Sequence, residues 1–458
     1  MDEMTDRALE FARERQRQAL GELIQWLEIP SISAQPGHVS DVRHAAEWLA
    51  AHMRGIGLAN VTVRPTAGHP IVYGDWLGAP GKPTLLIYGH YDVQPIDPMN
   101  LWSSDPFEPL ERAGNLYGRG AADDKGQVFA NLKAVEAYLK TCGALPVNVK
   151  FIVEGEEEVG SVHLTSFVEA NAPLLAADAV LVSDSAWLTL DAPTLIYGLR
   201  GLVYLEMEVI GPSQDLHSGS FGGPVQNPIQ ALCDIVAHLK DDQGRINIPG
   251  FYNKVQPLDD EERRELGRIP FDAALFCKDA GITTTAGEAG YSIIEQLGAR
   301  PTLDINGIVG GYTGPGAKTV IPSRVTAKIS MRLVPDQDPD EIADLFIAEV
   351  QRVAPPTVQV NVRRLHAAAP AIMNRQAPPL RAAARALQLA FGHEPVFARD
   401  GGSIPIMSHF QRCLNAPAVL MGYGLPDDNI HAPNEKFALA QFFGGIRACI
   451  YFLGALGE

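Results

Sequence analysis

Apolar residues along this chain keep two rhythms. Over residues 6–27, Leu9, Leu20, Leu23, Ile24 and Leu27 are separated by charged positions at helical spacing and Pro30 ends the run, which predicts an amphipathic helix. A second helix is predicted over 41–53. Short β-branched and aromatic runs at 61–63, 71–73 and 84–88 read as strands; a helix at 125–139, a strand at 147–153, a helix at 164–170 and a strand at 179–182 follow. Near-continuous apolar strands alternating with helices predict an α/β domain on a mixed, mostly parallel sheet with helices on both faces. Its ligand site is expected beyond the carboxyl ends of the strands.

The pattern changes after Tyr197-Gly-Leu-Arg-Gly201. A strand at 203–210 is followed by a helix capped by Asn227, with Pro228 in its first turn and Ile229, Leu232, Ile235, Val236 and Leu239 on one face. Strands at 303–309 and 325–333, a helix announced by Asp338-Pro339 and a strand at 358–362 complete a β-α-β-β-α-β order. That order predicts a ferredoxin-like α+β unit inserted into the first domain. The expected division is 1–198 and 374–458 for the first domain and 199–373 for the insert. Residues 240–302 are polar and turn-rich, and no function is legible in them. Helices at 378–392 and 437–456 return the chain to the first domain and close it.

The length of 458 residues suits two or three domains with buried cores, and 46% hydrophobic with 20% charged residues is an ordinary globular composition. Lys and Arg number 37 against 54 Asp and Glu, and the resulting −17 disfavours nucleic acid or an anionic membrane as partner. Part of that acidic excess is available to bind metal. No basic stretch followed by an apolar core opens the chain and no uninterrupted apolar run is of membrane-spanning length, so a cytoplasmic location is expected. The five scattered cysteines lack C-x-x-C spacing and are expected to be reduced.

Candidate chemistry gathers at the strand ends. Thr84-Leu-Leu-Ile-Tyr-Gly-His90-Tyr-Asp92 delivers a histidine and, two residues on, a carboxylate able to orient it. Leu116-Tyr-Gly-Arg-Gly-Ala-Ala-Asp123-Asp124-Lys-Gly126 is a glycine-rich turn whose spacing fits neither phosphate-binding fingerprint. Presenting carboxylates, it suits a cation. The next strand ends in Glu154-Gly-Glu-Glu-Glu-Val-Gly-Ser161, and on these residues alone a solvated acidic turn accounts for the cluster as well as a bound cation does. Val182-Ser-Asp184 and the distant His431 add further donors. Each taken singly is an ordinary turn, cap or core residue; their placement at successive strand ends points to a mixed N/O site for Zn²⁺, Co²⁺ or Mn²⁺.

With these motifs in order along nearly the whole chain, together with Gly89-His-Tyr-Asp-Val-Gln-Pro95 and His431-Ala-Pro-Asn-Glu-Lys436, the sequence resembles the M20 family of dinuclear metallopeptidases, most of all its dipeptidase branch. The resemblance implies that His90, Asp184 and one oxygen of Asp123 hold one metal, while Glu158, His431 and the other Asp123 oxygen hold a second. It further implies that Asp92 orients His90, that Glu157 is the general base, and that the peptide bond after Asp123 is cis. Asp124 and Glu156 are left without a role. Two divalent ions, zinc foremost with manganese or cobalt as alternatives, would polarise the scissile carbonyl and acidify a water whose proton Glu157 accepts.

For the insert, the resemblance implies a lid and dimerisation domain. His217 in Asp215-Leu-His-Ser-Gly219 would act in the other subunit's site of a homodimer, and Thr319, Arg332 and Ser403 would grip the substrate backbone and carboxylate. The first reading is a dipeptidase acting on small peptides. The alternatives are an N-acyl-amino-acid deacylase with the same metal ligands, of the acetylornithine or succinyl-diaminopimelate type, and a non-catalytic metal-stabilised binding protein. A retained Glu157 speaks against the last.

Overall fold

A computed structural model describes residues 2–190, 192–402 and 404–458. Among these, a nine-stranded mixed sheet runs in the order Ala59–Arg64, Ile71–Trp76, Asn148–Glu154, Thr84–His90, Ala179–Val182, Ala418–Leu420 and Thr194–Leu199. Ala371–Ile372 and Val396–Asp400 both pair with Thr194–Leu199. The four central strands from Asn148–Glu154 to Ala418–Leu420 are mutually parallel. They are buried almost throughout, as both faces are covered by helices, which explains their unbroken apolar runs.

The helix Lys125–Cys142 lies on the strand Thr84–His90 and is enclosed by Glu3–Glu14, Gln16–Leu27 and Leu439–Gly457. Leu439–Gly457 is long and apolar enough by composition to cross a membrane. Here Phe442, Ile446, Ile450 and Phe452 are instead core residues. Residues 6–27 do not form the single helix expected. Arg15, at φ −103° and ψ 15°, separates Glu3–Glu14 from Gln16–Leu27. Residues 13–18 carry no apolar side chain, and although both halves pack on Lys125–Cys142, the first also packs on Leu439–Gly457 and the second on Val39–Ile56.

The strands Thr302–Gly310, Arg324–Leu333, Gly201–Ile210 and Gln359–Ala368 form a separate antiparallel sheet in that order. Its helices, Pro228–His238 and Pro339–Val353, cover one face, so Gly201–Ile210 alternates strictly between buried and half-buried positions. This is the ferredoxin-like arrangement, with a core of its own around Leu205, Leu232, Ile329 and Phe346.

Residues 240–302 contain three short helices, Asp260–Leu266, Ala273–Asp279 and Ile293–Gly298. Leu266, Ile269 and Ile294 are buried with the larger core, against the edge strand Val396–Asp400, rather than with the core of the smaller sheet. A buried bidentate pair, Arg300 Nε and Nη2 to Glu288 at 2.8 and 2.7 Å, braces this segment.

Candidate active site

The strand Thr84–His90 ends on His90, which is fully buried. Its Nδ1 lies 3.0 Å from the carbonyl oxygen of Asp92. A carbonyl only accepts, so Nδ1 carries a proton and Nε2 is the ring nitrogen turned toward Asp123 and Asp184. The Asp92 carboxylate is 3.4 Å from Nδ1, and it also accepts the backbone amides of Glu157 at 3.2 Å and Glu158 at 3.1 Å. Asp92 thus orients the imidazole chiefly through its carbonyl, and its carboxylate holds the glutamate turn beside it.

Asp123 stands between two imidazoles. Its Oδ1 is 3.0 Å from His90 Nε2 and its Oδ2 is 2.9 Å from His431 Nε2. The peptide bond that follows Asp123 is cis. Asp184 approaches His90 Nε2 to 3.8 Å, and Glu158 Oε2 lies 3.2 Å from His431 Nε2. Two triads result, His90–Asp123–Asp184 and Asp123–Glu158–His431, each with ligand atoms within 4.8 Å of one another and both sharing Asp123. Beside them is a cavity of about 320 Å³, lined in part by Asp123, Glu157, Asp184 and His431.

The electrostatics match a cation site. Burial raises the carboxyl of Asp184; His90 pulls it back down, while Asp123 and Glu158 add repulsion. Burial and the neighbouring Asp123 likewise push Glu158 up. Asp123 is also desolvated, yet hydrogen bonds from His431 and His90 hold it below the ordinary carboxylate range. Crowded, desolvated carboxylates facing two imidazoles, with no thiolate among them, are a donor set that fits divalent cations and is relieved by them. Glu157 is raised as well, by burial first and then by Asp184, Glu158 and Asp123.

His217 and Thr319 lie elsewhere. His217 is on a two-stranded ribbon, Leu216–His217 with Val320–Ile321, and Ser218 N donates to Thr319 O at 3.1 Å. Both residues are exposed, and neither lines the cavity. Arg332, half-buried on Arg324–Leu333 opposite Leu202 and Thr302, does not line it either. Ser403 lies outside the described residues.

Several supporting side chains were not assigned from the sequence. Asp124 Oδ2 accepts the amide of His90 at 3.2 Å, packed so tightly that a Cβ on Gly89 would come within 2.7 Å of it. Glu156 points away from the two triads to His163 Nδ1 at 2.8 Å and the amide of His69 at 3.0 Å, pinning the loop before the strand Ile71–Trp76. Gln94 Nε2 donates to Glu158 Oε2 at 2.7 Å. The Gly-His-Tyr-Asp-Val-Gln-Pro run contained Gln94, but only its fold-back onto Glu158 gives it a task.

The model of peptidase family M20/M25/M40 matches residues 86–454. The chain belongs to this family. Among its M20 relatives, the Cys-Gly metallodipeptidase DUG1 of Candida albicans is 34% identical over 452 residues, covering 94% of this chain and 93% of that protein. The crystal structure of human carnosine dipeptidase 1 superposes with a TM-score of 0.82 at 32% identity, covering 100% of this chain and 99% of that one. The M20 metallo-carboxypeptidase Sso-CP2 of Sulfolobus solfataricus gives a TM-score of 0.84 at 33% identity, covering 96% and 99%.

The adjacent glutamates separate experimentally. Glu157→Ala is expected to retain bound metal while turnover falls by at least the ~10²-fold characteristic of a lost general base. Glu158→Ala is expected to lose metal, measured by elemental analysis after dialysis. Exchanged phenotypes would place the register across the three glutamates one residue off.

Proposed function

We propose that this protein is a metal-dependent dipeptidase that hydrolyses the peptide bond of small dipeptides. The observation that carries the reading is the Asp123 carboxylate, 3.0 Å from His90 and 2.9 Å from His431, with Glu157 lining the same cavity. The relatives named as dipeptidases, matched over nearly the full chain, support dipeptides over N-acyl amino acids as substrates. A cavity of about 320 Å³ sits at the small end of the ~300–1,000 Å³ usual for ligand sites.

In this reading His90, Asp184 and one oxygen of Asp123 hold one divalent ion, and Glu158, His431 and the other oxygen hold a second. The donor chemistry favours zinc, with manganese or cobalt as alternatives. When bound, such ions polarise the scissile carbonyl and acidify water. Glu157, lining the same cavity, accepts a proton from the attacking water as its oxygen bonds to the carbonyl carbon, then delivers that proton to the amine as the C–N bond breaks. No covalent enzyme intermediate is needed. Asp92 keeps His90 and the glutamate turn in register throughout.

The same reading makes residues 1–198 and 374–458 the catalytic domain and 199–373 a lid that forms a cytoplasmic homodimer. His217 supports the oxyanion of the opposite subunit, and Thr319, Arg332 and Ser403 hold substrate backbone and carboxylate. The exposed ribbon that carries His217, with Thr319 directly before its second strand, lies away from the cavity of its own subunit and supports this arrangement. The similarity to a metallo-carboxypeptidase favours one second reading, removal of carboxy-terminal residues from longer peptides.

The purified, metal-loaded protein is expected to cleave dipeptides, to lose activity on exhaustive chelation, and to act poorly on N-acyl amino acids and on peptides of four or more residues. Rates that hold up along the peptide series would favour the carboxypeptidase reading, and full activity with an empty site would exclude both. Mixing inactive His217→Ala with inactive Glu157→Ala subunits should restore up to about half the activity per heterodimer. Verified subunit exchange without recovery would remove His217 from the partner's site.

A further inference from the structure

Glu435 lies four residues after His431, is completely buried, and does not line the cavity. Its carboxylate is nonetheless fully engaged. Oε2 accepts Arg119 Nη1 at 2.8 Å and the amide of Gly120 at 2.9 Å; Oε1 accepts the amides of Ala122 at 2.9 Å and Asp123 at 3.1 Å. Three of these four donors are backbone groups of one short loop, and the last is the amide of the residue that stands between the two triads. Gly120, at φ +84°, takes the left-handed conformation that turns successive amides inward to form an anion nest.

The other end of the same connection is equally constrained. The carbonyl of Glu435 accepts the amide of Gly118 at 3.0 Å, and Lys436 pairs with Tyr117 in a small sheet. His431 has φ +59°, with Asn429 and Asn434 also left-handed, so its loop holds a shape that few non-glycine residues adopt unless surroundings impose it. Asn434 contributes by accepting from Ser103 and donating to Leu101. A buried carboxylate is costly unless its hydrogen bonds are complete, and an apolar side chain here would leave three loop amides unpaired.

We infer that Glu435 is a positioning residue: it locks the loop of Asp123 to the loop of His431 and so sets the separation of the two metal positions. The inference rests on the dinuclear reading above. It gives Glu435 no contact with substrate and no share in proton transfer. Its effect passes through the orientation of Asp123, whose two oxygens must face His90 and His431 at the same time.

The test compares apo wild-type protein with Glu435→Gln, titrated with Mn²⁺ and followed by binding isotherm and by electron paramagnetic resonance. Wild-type protein should take up two ions per subunit with an exchange-coupled spectrum. Glu435→Gln keeps the volume but turns an NH₂ group toward two of the four donors. It should bind the second ion at least about tenfold more weakly, as loss of an outer-shell partner does. Coupling should be altered at equal occupancy, and kcat should fall with KM for a dipeptide unchanged within about twofold. A residue that only stabilises the fold would lower the melting temperature and leave affinity and coupling untouched. Glu435→Asp, which keeps the charge but shortens the reach, is the milder second variant and should fall between the two; it decides the matter if the Gln variant does not fold. Wild-type affinity and coupling in a folded variant overturn the inference. Wild-type protein that binds no Mn²⁺ overturns the dinuclear reading instead.

Discussion

The structure depends on one arrangement: a single carboxylate, Asp123, set between two imidazoles that come from opposite ends of the chain. Around it, Glu157, Glu158 and Asp184 are desolvated and mutually repelling. Such a cluster is unfavourable by itself, and its natural resolution is positive charge held among the carboxylates. The surrounding architecture meets the geometric requirement first. Parallel strands end side by side, so His90, Glu154 and Val182 reach the same edge and the loops after them converge. Asp92, Asp124, Gln94 and Glu435 then fix the loops by hydrogen bonds to backbone amides or to the carboxylates themselves.

The clustering of the strand-end side chains was legible where it is local. A histidine or carboxylate directly after a buried apolar run, as at His90 and Asp184, has few places to go; these two gather with Asp123, Glu158 and His431 in the two triads, with Asp92 and Glu157 beside them. Supporting residues were harder to read because their partners are remote in sequence. Glu435 bonds to residues 119–123, more than three hundred positions away, and Glu156 looked redundant until its neighbour His163 and the loop at His69 were in place. The strands Thr194–Leu199, Val396–Asp400 and Ala418–Leu420 were also unread. They are short segments that owe their conformation to neighbours in the sheet rather than to a pattern of their own.

Residues 240–302 show why composition alone misled. Their polarity suggested a turn-rich connection, yet Leu266, Ile269 and Ile294 are buried in the larger core. Glu262 bonds to both Tyr197 and Arg399. The segment also touches Arg200, at the start of the smaller sheet, whose guanidinium donates to the carbonyls of Gln296, Arg300 and Gly401. The segment between Pro228–His238 and Thr302–Gly310 is therefore fastened to Thr194–Leu199 and Val396–Asp400, the strands whose ends Leu199 and Asp400 line the cavity.

Asp123 is the carboxylate that both ions would share. Anomalous diffraction at the manganese edge from crystals of the Mn²⁺-loaded protein tests it most directly. Two peaks per subunit are expected, one beside His90 and Asp184 and one beside Glu158 and His431, with one Asp123 oxygen on each. A single peak, or two peaks of which neither contacts Asp123, would contradict it.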